Sequence, residues 1–429
     1  MKSFYKIERA KLGVIKNIQG YELLDSRGNP TVYVEVETSS GAKGFGYAPS
    51  GASTGKREAV ELRDGGKRYG GMGVLKCLEA LNNRVKPALL GQELEPALID
   101  SILEQVDGTR NFSSIGANTS TAVSIACHRA KAQEEGIELY QLFLKEKLVL
   151  PTPMFNIING GKHAGNALAI QEFMIVPHAS SFSEALRIGV EVYHTLKNLL
   201  KETKGAFSIN VGDEGGFAPP FTKTREALDV LRLAVKRSGY TESEVMFAID
   251  CAASSFYRNG FYEIDQEKKN ADELLEYYER LASEYPLISI EDPFYEDDWE
   301  SFCAITKALR KTRIVGDDLL VSDSSNLKKA SEIGACNGVI VKVNQVGTVS
   351  RALNTVKSAK NLGYLAIISH RSGESVDDFI SHFASGLSTG AIKSGAPARG
   401  ERVCKYNRLL LIEAREKGAL FNGINSIKV

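Results

Sequence analysis

The sequence predicts an α/β chain, a barrel of βα units preceded by a smaller α+β domain, and three observations carry that prediction. Short β-branched apolar runs each end in a titratable residue: FAID closes on Asp250, ISIE on Glu291, IVGD on Asp317, GVIVK on Lys342 and IISH on His370. Their spacings of 41, 26, 25 and 28 residues each suit one strand plus one covering helix, as in a parallel sheet. Around Pro151 and Pro153 the pattern changes: strands followed by a block of helices give way to repeated strand, polar loop and helix. A domain over residues 1–150 and a barrel over 151–429 are therefore expected. In such a barrel the strand C-termini gather at one face, where catalytic groups sit, so the five titratable residues should share a pocket.

Composition narrows the function. The chain has 429 residues, 43% hydrophobic and 25% charged, the balance of a globular protein. Lys plus Arg and Asp plus Glu both number 53, so no net field draws in nucleic acid or a membrane surface. The opening MKSFYKIERAK lacks an apolar signal region, and no apolar run approaches the ~18 residues of a membrane span. Six cysteines without CxxC or zinc spacing suit a reducing, cytoplasmic setting.

Taken in order, residues 1–45 read as antiparallel sheet. Val32 to Glu37 alternates apolar and polar, and Ser39-Ser40-Gly41 turns the chain toward Lys43 to Tyr47. The loop Pro49 to Arg57 has the small residues of a phosphate loop but fails the Walker spacing, with Arg57 where Ser or Thr is needed. Its side chains offer no core to hold it, so it is expected to be mobile and open in the free protein. Helical patterns follow over Val74 to Leu90, Pro96 to Val106 and Asn118 to Glu135. Beyond residue 153, glycine clusters mark loops at 159–165 and 212–216. Amphipathic helices are expected at 183–202, 224–238, 271–284, 298–309, 324–333 and 347–361, within βα units running from about 154 to 415.

The strand-end residues suggest a chemistry. Any one of Asp250, Glu291 and Asp317 alone reads as a helix cap or an ion-pair partner. Converging, they conflict: two like charges ~4 Å apart repel by roughly 4 kcal/mol at an effective dielectric of ~20. A divalent cation removes that repulsion, and an all-oxygen set selects a hard ion such as Mg²⁺. Lys342 beside a cation would have its ammonium form disfavoured and could take a proton from carbon. Glu214, in Gly212-Asp-Glu-Gly-Gly216, is a candidate general acid or a plain solvated loop glutamate. His163 is open between a catalytic and an ordinary polar role. Ser369 to Gly373 presents a guanidinium and a hydroxyl after an apolar strand, a bidentate phosphate site, and Lys393 ends the next strand where barrels often bind phosphate. A small phosphorylated anion is the expected substrate. Removing a proton beside its carboxylate would create a dianion, which makes a second cation plausible.

Long stretches also match a known family. LDSRGNPTV (24–32), PSGASTG (49–55), ELRDGG (61–66), NGGKHAGN (159–166), QEFM (171–174), GDEGGFAP (212–219), SIEDPF (289–294), GDDL (316–319), KVNQVGT (342–348), SHRSGE (369–374) and GAPARGER (395–402) make the chain resemble the enolases over nearly its whole length. The resemblance implies a modified TIM barrel, ββαα(βα)6, behind a small α+β domain. It implies a glycolytic and gluconeogenic lyase that reversibly dehydrates 2-phosphoglycerate to phosphoenolpyruvate with Mg²⁺. Asp250, Glu291 and Asp317 would hold one Mg²⁺, and Ser53 would help hold a second together with substrate. Lys342 would be the base at C2 and Glu214 the acid at the C3 hydroxyl. His163, Gln171, Glu172, His370, Arg371, Ser372 and Lys393 would surround the substrate, and a cytoplasmic homo-oligomer, a dimer or a multiple of dimers, is implied. Enolase-type sites with a Lys or His base and one or two Mg²⁺ are a general pattern of pKa tuning.

The chain departs from the family pattern at Arg110, Phe112, Ser114, Thr119-Ser120-Thr121, Asp378 and Ala391, all away from the expected acid, base and metal ligands. Two other readings stand beside this one: another proton-abstracting enzyme of the same superfamily, or a binding or scaffold relative without the chemistry. The first usually carries a Lys-x-Lys base on an early barrel strand, and none ends a strand here. The second should show a broken acid, base or ligand, and none is broken.

Overall fold

A computed structural model describes residues 13–52 and 55–429, so Ser53 lies outside the described residues. Three strands, β1 (Ile15–Leu24), β2 (Pro30–Thr38) and β3 (Lys43–Tyr47), form an antiparallel sheet in sequence order. The alternation of Val32, Val34 and Val36 buries one face of β2. Helix α4 (Ala117–Glu135) packs on that face against β2 and β3. The approach is close because β3 carries glycines: a Cβ at Gly44 would lie 2.0 Å from the Ala126 carbonyl oxygen.

Before α4 come α1 (Leu75–Ala80), a π turn (Leu81–Val85), α2 (Lys86–Leu89) and α3 (Pro96–Asp107). The helix expected over 74–90 is thus one helical stretch with a widened turn. Its physical reason is Pro87, which has no N–H to donate to the preceding turn.

The polar run Thr119-Ser120-Thr121 in α4 is buried and makes specific bonds. Ser120 Oγ (2.7 Å) and Thr121 Oγ1 (3.2 Å) donate to the Gly347 carbonyl, and Ser124 Oγ accepts from Val349 N at 3.0 Å. These hydroxyls fasten the N-terminal helices to the segment that follows Lys342. Phe112 and Asp378 are also absorbed: Phe112 is buried with Arg351 over its ring at 4.7 Å, and Asp378 accepts from Arg129 at 3.0 Å and from Arg408 at 2.7 Å.

Eight strands close the barrel: β4 (Thr152–Asn159), β5 (Glu172–Pro177), β6 (Val245–Asp250), β7 (Leu287–Glu291), β8 (Arg313–Gly316), β9 (Gly338–Val341), β10 (Leu365–Ser369) and β11 (Ala391–Lys393). β6 through β11 run parallel, and β11 closes parallel onto β4. β5 is antiparallel to both neighbours. Two helices, α5 (Phe182–Lys204) and α6 (Thr224–Arg237), follow β5, so strand and helix do not alternate at the start as pattern alone suggests. The order is ββαα(βα)6, α/β in class.

The remaining barrel helices are α7 (Ala271–Glu284), α8 (Trp299–Ala308), α9 (Ser324–Ile333), α10 (Val349–Asn361), α11 (Phe379–Gly386) and α12 (Gly400–Arg415). Asn270, Asp298, Asp323 and Thr348 cap the starts of α7 to α10 through their side-chain oxygens. Inside the barrel, Met154, Met174, Ala248, Ile288, Val315, Ile340, Ile367 and Ala391 fill the core beneath the strand C-termini. The N-terminal domain covers that end: Ser50 and Gly373 exchange backbone hydrogen bonds, and Asn344 Nδ2 donates to the Pro49 carbonyl.

Candidate active site

Strand register builds the floor of the site. Glu172 is paired with Asp250 across β5 and β6, and Asp250 with Glu291 across β6 and β7, so three carboxylates occupy neighbouring positions at one barrel end. From β11 the Lys393 ammonium reaches all three, at 2.9 Å from Asp250 Oδ2, 2.9 and 3.0 Å from the Glu291 oxygens and 3.1 Å from Glu172 Oε2. Asp317, at the end of β8, accepts from the Lys342 ammonium and from Gln345 Nε2 at 3.0 Å. All of these are buried except Lys342, which is half-buried.

One ammonium cannot neutralise three carboxylates. Burial opposes the Lys393 charge, but Asp250, Glu172 and Glu291 push its pKa well above the usual lysine value. The surplus negative charge shows in the acids. Burial, with the Glu214 charge, holds Glu172 well above the carboxylate range, and burial with Asp250 does the same for Glu291. Asp292 and Asp318 are raised too, first by burial and then by neighbouring carboxylates, Asp318 to about 7. Among the described residues, two groups place their ligand atoms within 4.8 Å of one another: His163 with Glu172 and Glu214, and Asp292 with Asp317 and Asp318. Asp250, Glu291 and Asp317 do not form such a group, since the two lysines stand among them.

On the other side of Lys393 lies Glu214. It is 2% exposed, so the solvated-loop alternative does not hold. Its Oε2 accepts from Asn156 Nδ2 at 2.9 Å and lies 3.3 Å from His370 Nε2, while Oε1 is 3.6 Å from His163 Nδ1. Burial opposes the Glu214 charge, yet the two histidines and Arg402 bring its pKa well below the ordinary value. Burial lowers His163, and it lowers His370 to about 4. His163 Nε2 is 3.2 Å from Ser372 Oγ. Arg371 Nη1 donates to Glu58 Oε2 at 2.9 Å and to Asn344 Oδ1 at 3.1 Å, so both domains orient its guanidinium.

The cleft between these groups has a volume of about 20 Å³, room for a water or a single ion. Of the residues singled out from sequence, His163, Gln171, Glu172, Glu214, Asp250, Asp317, Lys342, His370, Arg371, Ser372 and Lys393 line it. Glu291 sits just behind Lys393, and Ser53 lies outside the described residues. A roomier cleft, about 690 Å³ between Arg110, Arg351 and Ser324, holds none of them.

Of the loop expected to be open, Ser53 and Thr54 lie outside the described residues, and bonds are seen on its C-terminal flank. Gly55 N donates to Glu58 Oε1 at 2.8 Å and Arg57 Nη2 to the Glu296 carbonyl at 2.9 Å. Backbone and guanidinium bonds hold this flank where no apolar side chain does.

Sequence reasoning missed several participants, among them Asp292, Asp318, Glu58, Asn156 and Gln345. Asp292 and Asp318 follow Glu291 and Asp317 directly, so the doubled acids in IEDP and GDDL were a usable signal. Glu58, Asn156 and Gln345 carried none, because each meets its partner only through the fold.

Comparison with known proteins fits this geometry. Residues 15–143 match the family model described as Enolase, N-terminal domain, and residues 147–429 match Enolase, C-terminal TIM barrel domain. Curated relatives named Enolase include one from Methanocaldococcus jannaschii, 52% identical over 402 residues covering 93% of this chain and 95% of the relative. One from Aeropyrum pernix is 50% identical over 404 residues, 93% of this chain and 94% of the relative. One from Methanococcus vannielii is 47% identical over 416 residues, 96% and 97% respectively.

Proposed function

The chain belongs to the enolase family, and from that premise we infer how its residues divide the work of a phosphopyruvate hydratase. The reaction is the reversible dehydration of 2-phosphoglycerate to phosphoenolpyruvate, a step of glycolysis and gluconeogenesis. The observation that carries the assignment of roles is the placement of Lys342 and Glu214 in one closed cleft, each beside groups that tune its charge.

A divalent cation fits the residues present, since the donor set is all oxygen and carries more negative charge than Lys342 and Lys393 neutralise. We assign Asp250, Glu291 and Asp317 as the residues that would hold one Mg²⁺, with Ser53 at a second that arrives with substrate. Bound there, the metal supplies positive charge for the substrate carboxylate and for the acids, including the Asp317 charge that otherwise keeps Lys342 protonated.

Lys342 takes the proton from C2 as the free amine, after its ammonium, no longer held by Asp317, has given its own proton to solvent. Glu214 delivers a proton to the C3 hydroxyl as it leaves. Burial and the Glu214 charge raise Glu172, whereas the two histidines and Arg402 lower Glu214, so a proton shared by the pair favours Glu172 and passes through Glu214 to the leaving hydroxyl. Arg371 and Ser372 bind the phosphate, with Glu58 and Asn344 fixing the guanidinium plane. His163, Gln171, His370 and Lys393 complete the wall around the substrate. Domain 1–150 closes over domain 151–429 through the loop from Ser50 to Arg57 and excludes water. A cytoplasmic homo-oligomer, a dimer or a multiple of dimers, completes the reading. Among the described residues, no helix is long and apolar enough to cross a membrane.

The test is ultraviolet absorbance of the enol product. With 2-phosphoglycerate and Mg²⁺ the absorbance rises, and a chelator stops it. No enol product under these conditions would overturn the reading, and a rise unaffected by chelator would remove the metal from it.

A further inference from the structure

Arg402 has no part in the chemistry assigned above, yet its side chain is fully buried and points at the site. It stands in the first turn of α12. Nη1 lies 2.6 Å from His370 Nδ1 and donates to the Arg371 carbonyl at 2.7 Å. Nη2 donates to the Asp213 carbonyl at 3.0 Å and to the Ser372 carbonyl at 2.6 Å. A single cation therefore grips both loops that deliver reacting groups, 212–216 with Glu214 and 369–373 with His370, Arg371 and Ser372.

The guanidinium makes no hydrogen bond to a carboxylate among the described residues. Glu401 Oε1 comes only within 3.6 Å of Nε. Burying a cation on such terms is unfavourable, and packing alone would be served better by an apolar side chain. The charge has a use that packing lacks. A guanidinium only donates, so the His370 nitrogen facing it must accept. Nδ1 is then the bare nitrogen, and the ring proton sits on Nε2, which faces Glu214 Oε2 at 3.3 Å. The histidine is thereby fixed as a neutral ring whose Nε2–H faces the acid.

We propose that Arg402 is a positioning residue of the dehydration: it locks His370 as the Nε2–H tautomer directed at Glu214 and ties the 212–216 and 369–373 loops into one frame. The tautomer claim stands on the geometry alone, whereas its kinetic consequence rests on the role assigned to Glu214. Gly395 leaves the space this arrangement needs, since a Cβ there would lie 3.0 Å from Arg402 Cδ and 3.2 Å from His370 Cε1.

Nitrogen-15 NMR of histidine-labelled full-length protein at neutral pH reads the tautomer directly. His370 is expected to show a protonated Nε2 and an unprotonated Nδ1. Protonated Nδ1, or fast averaging between tautomers, overturns the lock. In Arg402→Met that has kept native circular dichroism, turnover should fall by about a hundredfold with KM for 2-phosphoglycerate far less changed. Arg402→Lys, which keeps one cationic donor, should recover part of the loss. Folded Arg402→Met with native turnover overturns the positioning role. If Arg402→Met does not fold, the tautomer in the native protein and the turnover of Arg402→Lys decide the matter. Unchanged turnover in Arg402→Lys, beside an averaged His370 ring, would leave Arg402 as packing.

Discussion

Lys342 and Asp317 form a largely buried ion pair at the mouth of the barrel, with the Lys342 ammonium donating to Asp317 Oδ2. Burial pulls the Lys342 pKa down, but Asp317 more than offsets it and the ammonium is favoured. The same pairing lowers Asp317 against its own burial. The base is thus protonated at rest by the residue that is proposed to bind the metal. Asp317→Asn should weaken Mg²⁺ binding by at least about tenfold in calorimetry, since a charged oxygen leaves a hard-cation site. Activity should return only in part with excess Mg²⁺. Native magnesium dependence in this variant would take Asp317 out of the metal shell.

His382 gives a pH dependence with a definite sign. It stacks on Tyr140 at 6.2 Å, and Asp378, Asp377, Arg129 and Arg408 face it. Burial lowers its pKa to about 4. Unfolded, the ring titrates near 6.5, so between those values the unfolded chain binds a proton that the native protein does not. The contribution is complete above about pH 6.5 and is lost as pH falls toward 4, about 3 kcal/mol in all. Denaturant midpoints measured from pH 7 to 4.5 should fall, and His382→Phe should flatten that fall. An unaltered acid slope in His382→Phe would show that this ring is not the source.

Gly395 holds a backbone conformation with φ of +82°, and a Cβ there would come 2.7 Å from the Glu214 carbonyl oxygen. Gly395→Ala should destabilise the fold by about 1–3 kcal/mol and lower turnover by displacing the Glu214 loop. Thermal melting and steady-state kinetics check both. A variant with native melting temperature and native turnover would mean the loop accommodates the methyl group.

Ser120→Ala should cost about 1 kcal/mol, because the buried Gly347 carbonyl loses its shorter hydroxyl bond and keeps only the 3.2 Å bond from Thr121. Chemical denaturation measures it. Neutral behaviour would mean the domain contact is held elsewhere.

Much of this was legible in the chain itself. Apolar runs ending on Asp250, Glu291, Asp317, Lys342 and His370 are strands or their immediate ends, because a buried parallel strand needs continuous apolar residues and turns polar only at its mouth. The antiparallel β5 was invisible to that pattern, since a strand buried on both faces reads the same in either direction. Lys393 read as a phosphate ligand from its place at a late strand end, while its observed partners are Asp250, Glu291 and Glu172. Those contacts depend on barrel closure, which sets β11 across from β5 to β7 and leaves no trace in local sequence. Arg402 and Glu58 were missed for a like reason: each acts on a loop far away in the chain.

The assignment of Lys342 as base and Glu214 as acid is the centre of the account, and exchange of the substrate C2 proton with solvent tests it most directly. Both Lys342→Ala and Glu214→Gln should lose several orders of magnitude in turnover while staying folded. In Glu214→Gln, deuterium from solvent should still enter C2 of 2-phosphoglycerate, because the base remains beside it. In Lys342→Ala that exchange should vanish. Equal loss of exchange in the two variants, or exchange that survives without Lys342, would contradict the assignment.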